Sequence, residues 1–78
     1  LTERTAENKD TAILKRSVLI AGHRTSLSLE SAFWDELKEI AKRDGLSINQ
    51  LVAKIDAGRT GNLSSSLRLY VLKTLKTR

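Results

Sequence analysis

The stretch His23-Arg24-Thr25-Ser26-Leu27-Ser28-Leu29 constrains the fold most, because it runs directly into an amphipathic segment that begins near Ser31. Its alternation puts Thr25, Leu27 and Leu29 on one face and Arg24, Ser26 and Ser28 on the other, the pattern of a strand with one side on a core. A lone strand has no ladder to complete it. The sequence therefore predicts that this strand pairs with another chain.

Length points the same way. A chain of 78 residues makes one small domain, whose single core is marginal without a staple or a partner. It has no cysteine, and its one histidine cannot form an imidazole cluster, so disulfides and a metal centre are both excluded as staples. No cofactor is expected, and self-association is the route left to stability. The formal net charge of +5 and isoelectric point near 10.0 point to an anionic partner, double-stranded DNA foremost. No apolar run approaches the ~18 residues that a membrane span requires, and nothing resembles a secretion signal. The expected compartment is the cytoplasm, with no membrane partner. The chain begins at Leu1 and contains no methionine, which suggests a trimmed product with native residues before Leu1.

Four zones follow one another. Residues 1–14 are polar and mixed in charge and are expected to form an arm; residues 15–78 are expected to form the domain. From Lys15 to Leu29 the chain is rich in β-branched and apolar residues, with Gly22 dividing it. Val18 and Ile20 have the opposite parity to Leu27 and Leu29. A bulge at Gly22 within one long strand would bring all four onto one face, and this is the favoured reading; a two-residue hairpin turn at Gly22-His23 is the alternative.

The third zone carries two helices. Phe33, Leu37, Ile40 and Ala41 recur at helical spacing from Ser31 to Asp44, with Trp34 widening the stripe, and Gly45 supplies a left-handed C-cap. Ser47 then opens a second helix with the capping pair Ser47 and Gln50 ahead of Ile48, Leu51, Val52 and Ile55, and Gly58 ends it. In the fourth zone Asn62 caps a third helix carrying Leu63, Leu67, Tyr70, Val71 and Leu75. Leu69 and Leu72 broaden its apolar surface, as in a helix that packs against two things.

Arg24 to Leu29, then Phe33 to Ala41, then Gly45-Leu46-Ser47-Ile48-Asn49-Gln50-Leu51, make a strand, a helix, a Gly-Leu-Ser turn and a second helix. This resembles the ribbon-helix-helix superfamily of bacterial DNA-binding repressors, closely over residues 24–56. The flanks, with Lys15 to Val18 and Asn62 to Arg68, are similar to a less characterised bacterial subgroup with an extra C-terminal helix. The resemblance implies a mainly α fold with a short N-terminal strand, in an intertwined homodimer. The strands of two chains would pair antiparallel, and this intermolecular two-stranded ribbon would enter the major groove of DNA. It further implies that Arg24, Ser26 and Ser28 meet the bases, and that the start of the second helix at Ser47, Ile48 and Asn49 meets a phosphate. Leu27, Leu29, Phe33, Trp34, Leu37, Leu51, Ile55 and Leu67 would form the dimer core.

The chemistry of those side chains agrees. Arginine grips guanine O6 and N7, whereas serine hydroxyls select weakly, so Arg24 is the expected discriminator. Ser47 is expected to cap its helix and to leave amides for an anion. Among Lys15, Arg16, Lys54 and Arg59, Arg16 is the expected further phosphate contact, because it lies on the strand extension. His23 has no partner at metal-ligand spacing, Ser64-Ser65-Ser66 reads as a helix start, and Glu36 and Glu39 lie on a solvated helix face. No nucleophile elbow, phosphate loop or zinc-protease motif occurs, so the chain is not expected to be an enzyme. Two alternatives to a DNA-binding regulator stand beside it. One is an antitoxin-like module that dimerises and binds a partner protein. The other is an anionic lipid-binding surface on Arg68, Lys73, Lys76 and Arg78.

Overall fold

The computed structural model describes residues 12–59 and 61–77. Two strands, β1 (Ile13–Ile20) and β2 (His23–Glu30), are followed by three helices, α1 (Ser31–Arg43), α2 (Ile48–Ala57) and α3 (Leu63–Lys76). The strands pair antiparallel within the chain, in a two-stranded sheet whose register joins Ile20 to His23, Val18 to Thr25 and Leu14 to Leu29.

Two expectations are corrected here. The segment around Gly22 is neither a bulge nor a turn at Gly22-His23; it is a two-residue turn at Ala21-Gly22. Both residues have positive φ, 51° and 82°, the signature of the tight turn whose twist matches the two strands it joins. The parity switch follows directly, since even-numbered residues of β1 share a face with odd-numbered residues of β2. The ribbon is therefore built from one chain, with β1 supplying the partner that β2 was expected to find in a second copy. The boundary expected between residues 14 and 15 falls inside β1, and residues 1–11 lie outside the described residues.

The inner face of the hairpin and the helices enclose one core. Val18, Leu27, Leu29, Trp34, Leu37, Ile40, Leu51, Val52, Leu67 and Val71 are buried in it, while Phe33 and Ile55 pack against it half-buried. The side chains expected in a dimer core are thus packed within a single chain, because β1 and α3 cover the faces that a partner was expected to cover. Leu69, Leu72 and Leu75 remain exposed on α3.

Helix ends follow the local sequence. After α1 the Gly45 backbone is left-handed (φ 73°), and the N–H groups of Gly45 and Leu46 return to the carbonyls of Lys42 and Ala41 at 3.2 and 2.8 Å. This is the Schellman arrangement, and it turns Leu46 back against the core. Asn62 Oδ1 accepts from the N–H of Ser65 at 3.1 Å and starts α3.

Candidate nucleic-acid interface

The outer face of the hairpin follows from its register. Lys15, Ser17 and Leu19 of β1 stand opposite Ser28, Ser26 and Arg24 of β2, and all six are exposed. Five are polar and two of those are basic. The Arg24 guanidinium lies diagonally across the strands, its Nη1 donating to Ser17 Oγ at 3.2 Å. Arg24, Ser26 and Ser28 are therefore together on one solvent face, as the alternation predicts. Lys15, Ser17 and Leu19 join them, as the shared face of Val18, Ile20, Leu27 and Leu29 requires, because residues of the opposite parity turn outward.

Glu30, at the end of this face, is the acid nearest the readers in sequence, and α3 occupies it. Arg68 Nε donates to Glu30 Oε1 at 2.8 Å. That hydrogen bond, with a contribution from the backbone N–H of Glu30 itself, holds the carboxyl below its ordinary value of 4.5. Arg68 also lies over the Phe33 ring, 6.0 Å from its centroid.

Arg16 is not on this face. It points to the inner side, half-buried, with its guanidinium carbon 4.9 Å from the centroid of the Trp34 ring. Its Nε is buried without a hydrogen-bond partner among the described residues. Lys15, one residue earlier, occupies the solvent side that Arg16 was expected to hold.

The start of α2 is tied to the ribbon. Asn49 Oδ1 accepts from the N–H of Leu19 at 3.3 Å, which fixes the first turn of α2 beside the Leu19–Arg24 pair. The expected capping box is complete: Gln50 N–H donates to Ser47 Oγ at 3.0 Å, and Ser47 N–H donates to Gln50 Oε1 at 2.8 Å. Of the four amides that a helix start leaves open, those of Ser47 and Gln50 are used by the box. Ile48 and Asn49 keep the two that face outward with the positive end of the helix dipole.

The free edge of β2 is partly closed. Ser64 Oγ donates to the carbonyl of Ser28 at 2.8 Å, next to a groove of about 620 Å³ lined by Thr25, Ser26, Ser28, Arg59 and Asn62. In an antiparallel ladder alternate residues turn their backbone groups away from the partner strand, so Ser26, of the same parity as Ser28, faces that groove. Among the described residues no cluster of histidines and carboxylates suited to a metal occurs, and no helix is long and apolar enough to cross a membrane.

Comparison with known proteins converges on the same architecture. No curated protein matches this chain. Its fold is similar to that of an uncharacterized protein from Bordetella pertussis Tohama I, with a TM-score of 0.74 and 34% identity over 87% of this chain. The match spans 59% of the length of that protein. The family model described as "Ribbon-helix-helix domain" matches residues 13–75, from the first residue of β1 to the last turn of α3. With hairpin, capped helix pair and third helix all inside the match, this chain belongs to the ribbon-helix-helix family.

Proposed function

We propose that the protein is a sequence-specific double-stranded DNA-binding regulator, acting as a homodimer and most simply as a repressor. Ribbon-helix-helix domains commonly bind DNA as dimers and are generally regulatory modules rather than enzymes. The observation that carries the proposal is the outer face of the hairpin. Arg24 and Lys15 bring charge, Ser17, Ser26 and Ser28 bring adaptable hydroxyls, and the nearby acid Glu30 is engaged by Arg68.

The major groove is about 12 Å wide and admits a two-stranded ribbon. With the outer face turned inward, Arg24 meets a guanine and the neighbouring Leu19 a thymine methyl, while the serines accept either kind of edge. The Ile48 and Asn49 amides then lie at the rim of the groove, where a phosphate oxygen completes them. A second copy related by a two-fold axis, set against the open part of the β2 edge, doubles this pattern.

Selection of bound sites from genomic fragments with the purified protein tests the reading. The expected result is an inverted repeat with symmetric G·C contacts, bound with an affinity that falls with salt by about 0.9 log units per phosphate neutralised. Recovery of no common site, with binding indifferent to salt, would overturn it.

A further inference from the structure

Away from the ribbon, the C-terminal end of α2 and the middle of α3 enclose a shallow groove of about 370 Å³. Ile55, Leu69 and Tyr70 form its floor, and Lys54 and Lys73 stand on either side. No carboxylate lines it, and neither lysine has an ion-pair partner among the described residues. Further along α3, Leu72 and Lys76 are exposed as well. Leu69 and Leu72 are 52% and 49% exposed, and Leu69, Leu72, Lys73 and Lys76 follow the i, i+3, i+4, i+7 spacing of one helix face.

We infer that this face docks an acidic amphipathic helix of a partner protein. Helix-in-groove recognition uses apolar anchors at this spacing. The charge selects the kind of partner: α3 contains no acidic residue, so the only charges along the leucines are positive. A second copy docked face to face would set Lys73 and Lys76 against their own equivalents, a like-charge arrangement that interfaces avoid. A lipid surface is a poor match as well, because Leu67 and Val71, on the other side of α3, are buried in the core. That leaves a narrow apolar stripe instead of the broad face an interfacial helix needs. The groove also lies apart from the phosphate contact proposed at the start of α2, since Ile55 is about 9 Å along the α2 axis from Asn49 at the helical rise of ~1.5 Å per residue, although Arg59 lines both this groove and the one beside Ser26 and Ser28. DNA and partner can be held together.

The probe is a synthetic alanine-based helical peptide of the length of α3, with leucine at i, i+3, i+4 and i+7 and glutamate only at positions flanking that stripe, titrated into the full chain. Backbone amide shifts are followed by NMR alongside fluorescence anisotropy. The expected shifts are confined to 54–59 and 66–76, and the same titration succeeds with DNA already bound. Lys54→Glu with Lys73→Glu should weaken the peptide by roughly tenfold or more, and Leu69→Glu should weaken it similarly, each with an unchanged circular dichroism spectrum. Three results would overturn the inference. One is shifts elsewhere or none. Another is equal binding of a peptide with the same residues in scrambled order, or of anionic phosphatidylserine vesicles, which would mark a merely basic surface. The third is a fall in native mass on Leu72→Glu, which would mean that a second copy covers this face.

Discussion

Arg24 is the side chain on which base recognition rests, because serine hydroxyls on either side of it discriminate weakly. Its alanine variant should lose about 1 to 3 kcal/mol per contact on the selected site and flatten preference only at the G·C positions. Arg24→Lys keeps the charge but not the planar fork, so it should recover nonspecific binding while leaving much of the specificity lost. Equal losses on selected and scrambled DNA would reduce Arg24 to a phosphate anchor. The neighbouring pair Lys15 and Arg16 gives a second prediction, with opposite readouts from adjacent residues. Lys15→Ala should weaken selected and scrambled DNA together and lower the salt slope by about one per protomer if the lysine meets a phosphate. Arg16→Ala should instead perturb the fluorescence of Trp34 and cost about 0.5 to 2 kcal/mol of stability through the lost stacking. The grouping of Arg24, Ser26 and Ser28 was legible because a strand alternates with period two. The choice between Lys15 and Arg16 was legible on the same ground, since Arg16 has the parity of Val18 and Ile20, which the sequence sets on the core face; a place on the strand extension was the wrong basis for expecting a phosphate contact from it.

At the scale of elements, the Ala21-Gly22 turn carries the one positive-φ residue other than glycine among the described residues. Ala21 occupies a left-handed conformation that costs an L-residue with a Cβ roughly 1 kcal/mol, and Gly22 beside it avoids the same cost. Ala21→Asn should therefore stabilise the protein by several tenths of a kcal/mol, and Gly22→Ala should destabilise it by about 1 kcal/mol, read as urea midpoints. Because nothing lies within 4 Å of a Cβ built on Gly22, the second effect is conformational, not steric. A continuous bulged strand would give no gain from asparagine at position 21. The helices were far more legible: Ser47 with Gln50, Gly45 and Asn62 each act at the end where their chemistry assigns them, since caps depend on only a few neighbouring residues. The Glu30–Arg68 bridge was not legible, because it joins residues 38 apart in sequence. Its stabilisation is present above pH 4.5, where the carboxyl is ionised in folded and unfolded chains alike, and is lost as pH falls through the lower folded value. The stability difference between the wild type and Glu30→Gln should accordingly be constant above 4.5 and change only below it. Both side chains are partly exposed, so the change should be small and should shrink further in high salt.

For the whole molecule, the source of the core decides how folding and association are linked. An unpaired strand would have made the dimer a condition of folding, and the lack of a disulfide or metal staple in a chain of 78 residues supports that expectation from sequence alone. The intrachain hairpin removes the condition. Leu29, Leu37, Ile40, Leu51, Val52 and Leu67 are each wholly inaccessible within one chain, so no second copy is needed to keep them from water. The proposed homodimer then assembles from protomers that are already folded. Helical circular dichroism at ambient temperature should stay the same from micromolar to nanomolar protein, even where sedimentation shows that the dimer has dissociated. Leu27→Asp should be unfolded throughout, since it sets an unpaired charge among Val18, Leu51 and their neighbours in the core. Loss of the helical signal in step with loss of the dimer would mean that folding draws on a shared core after all, whereas a fall in the thermal midpoint alone accompanies any association of folded protomers. Where the free protein is a folded monomer, DNA is where the second copy is recruited, and binding to an inverted repeat should be cooperative while binding to a half-site should remain monomeric and weak.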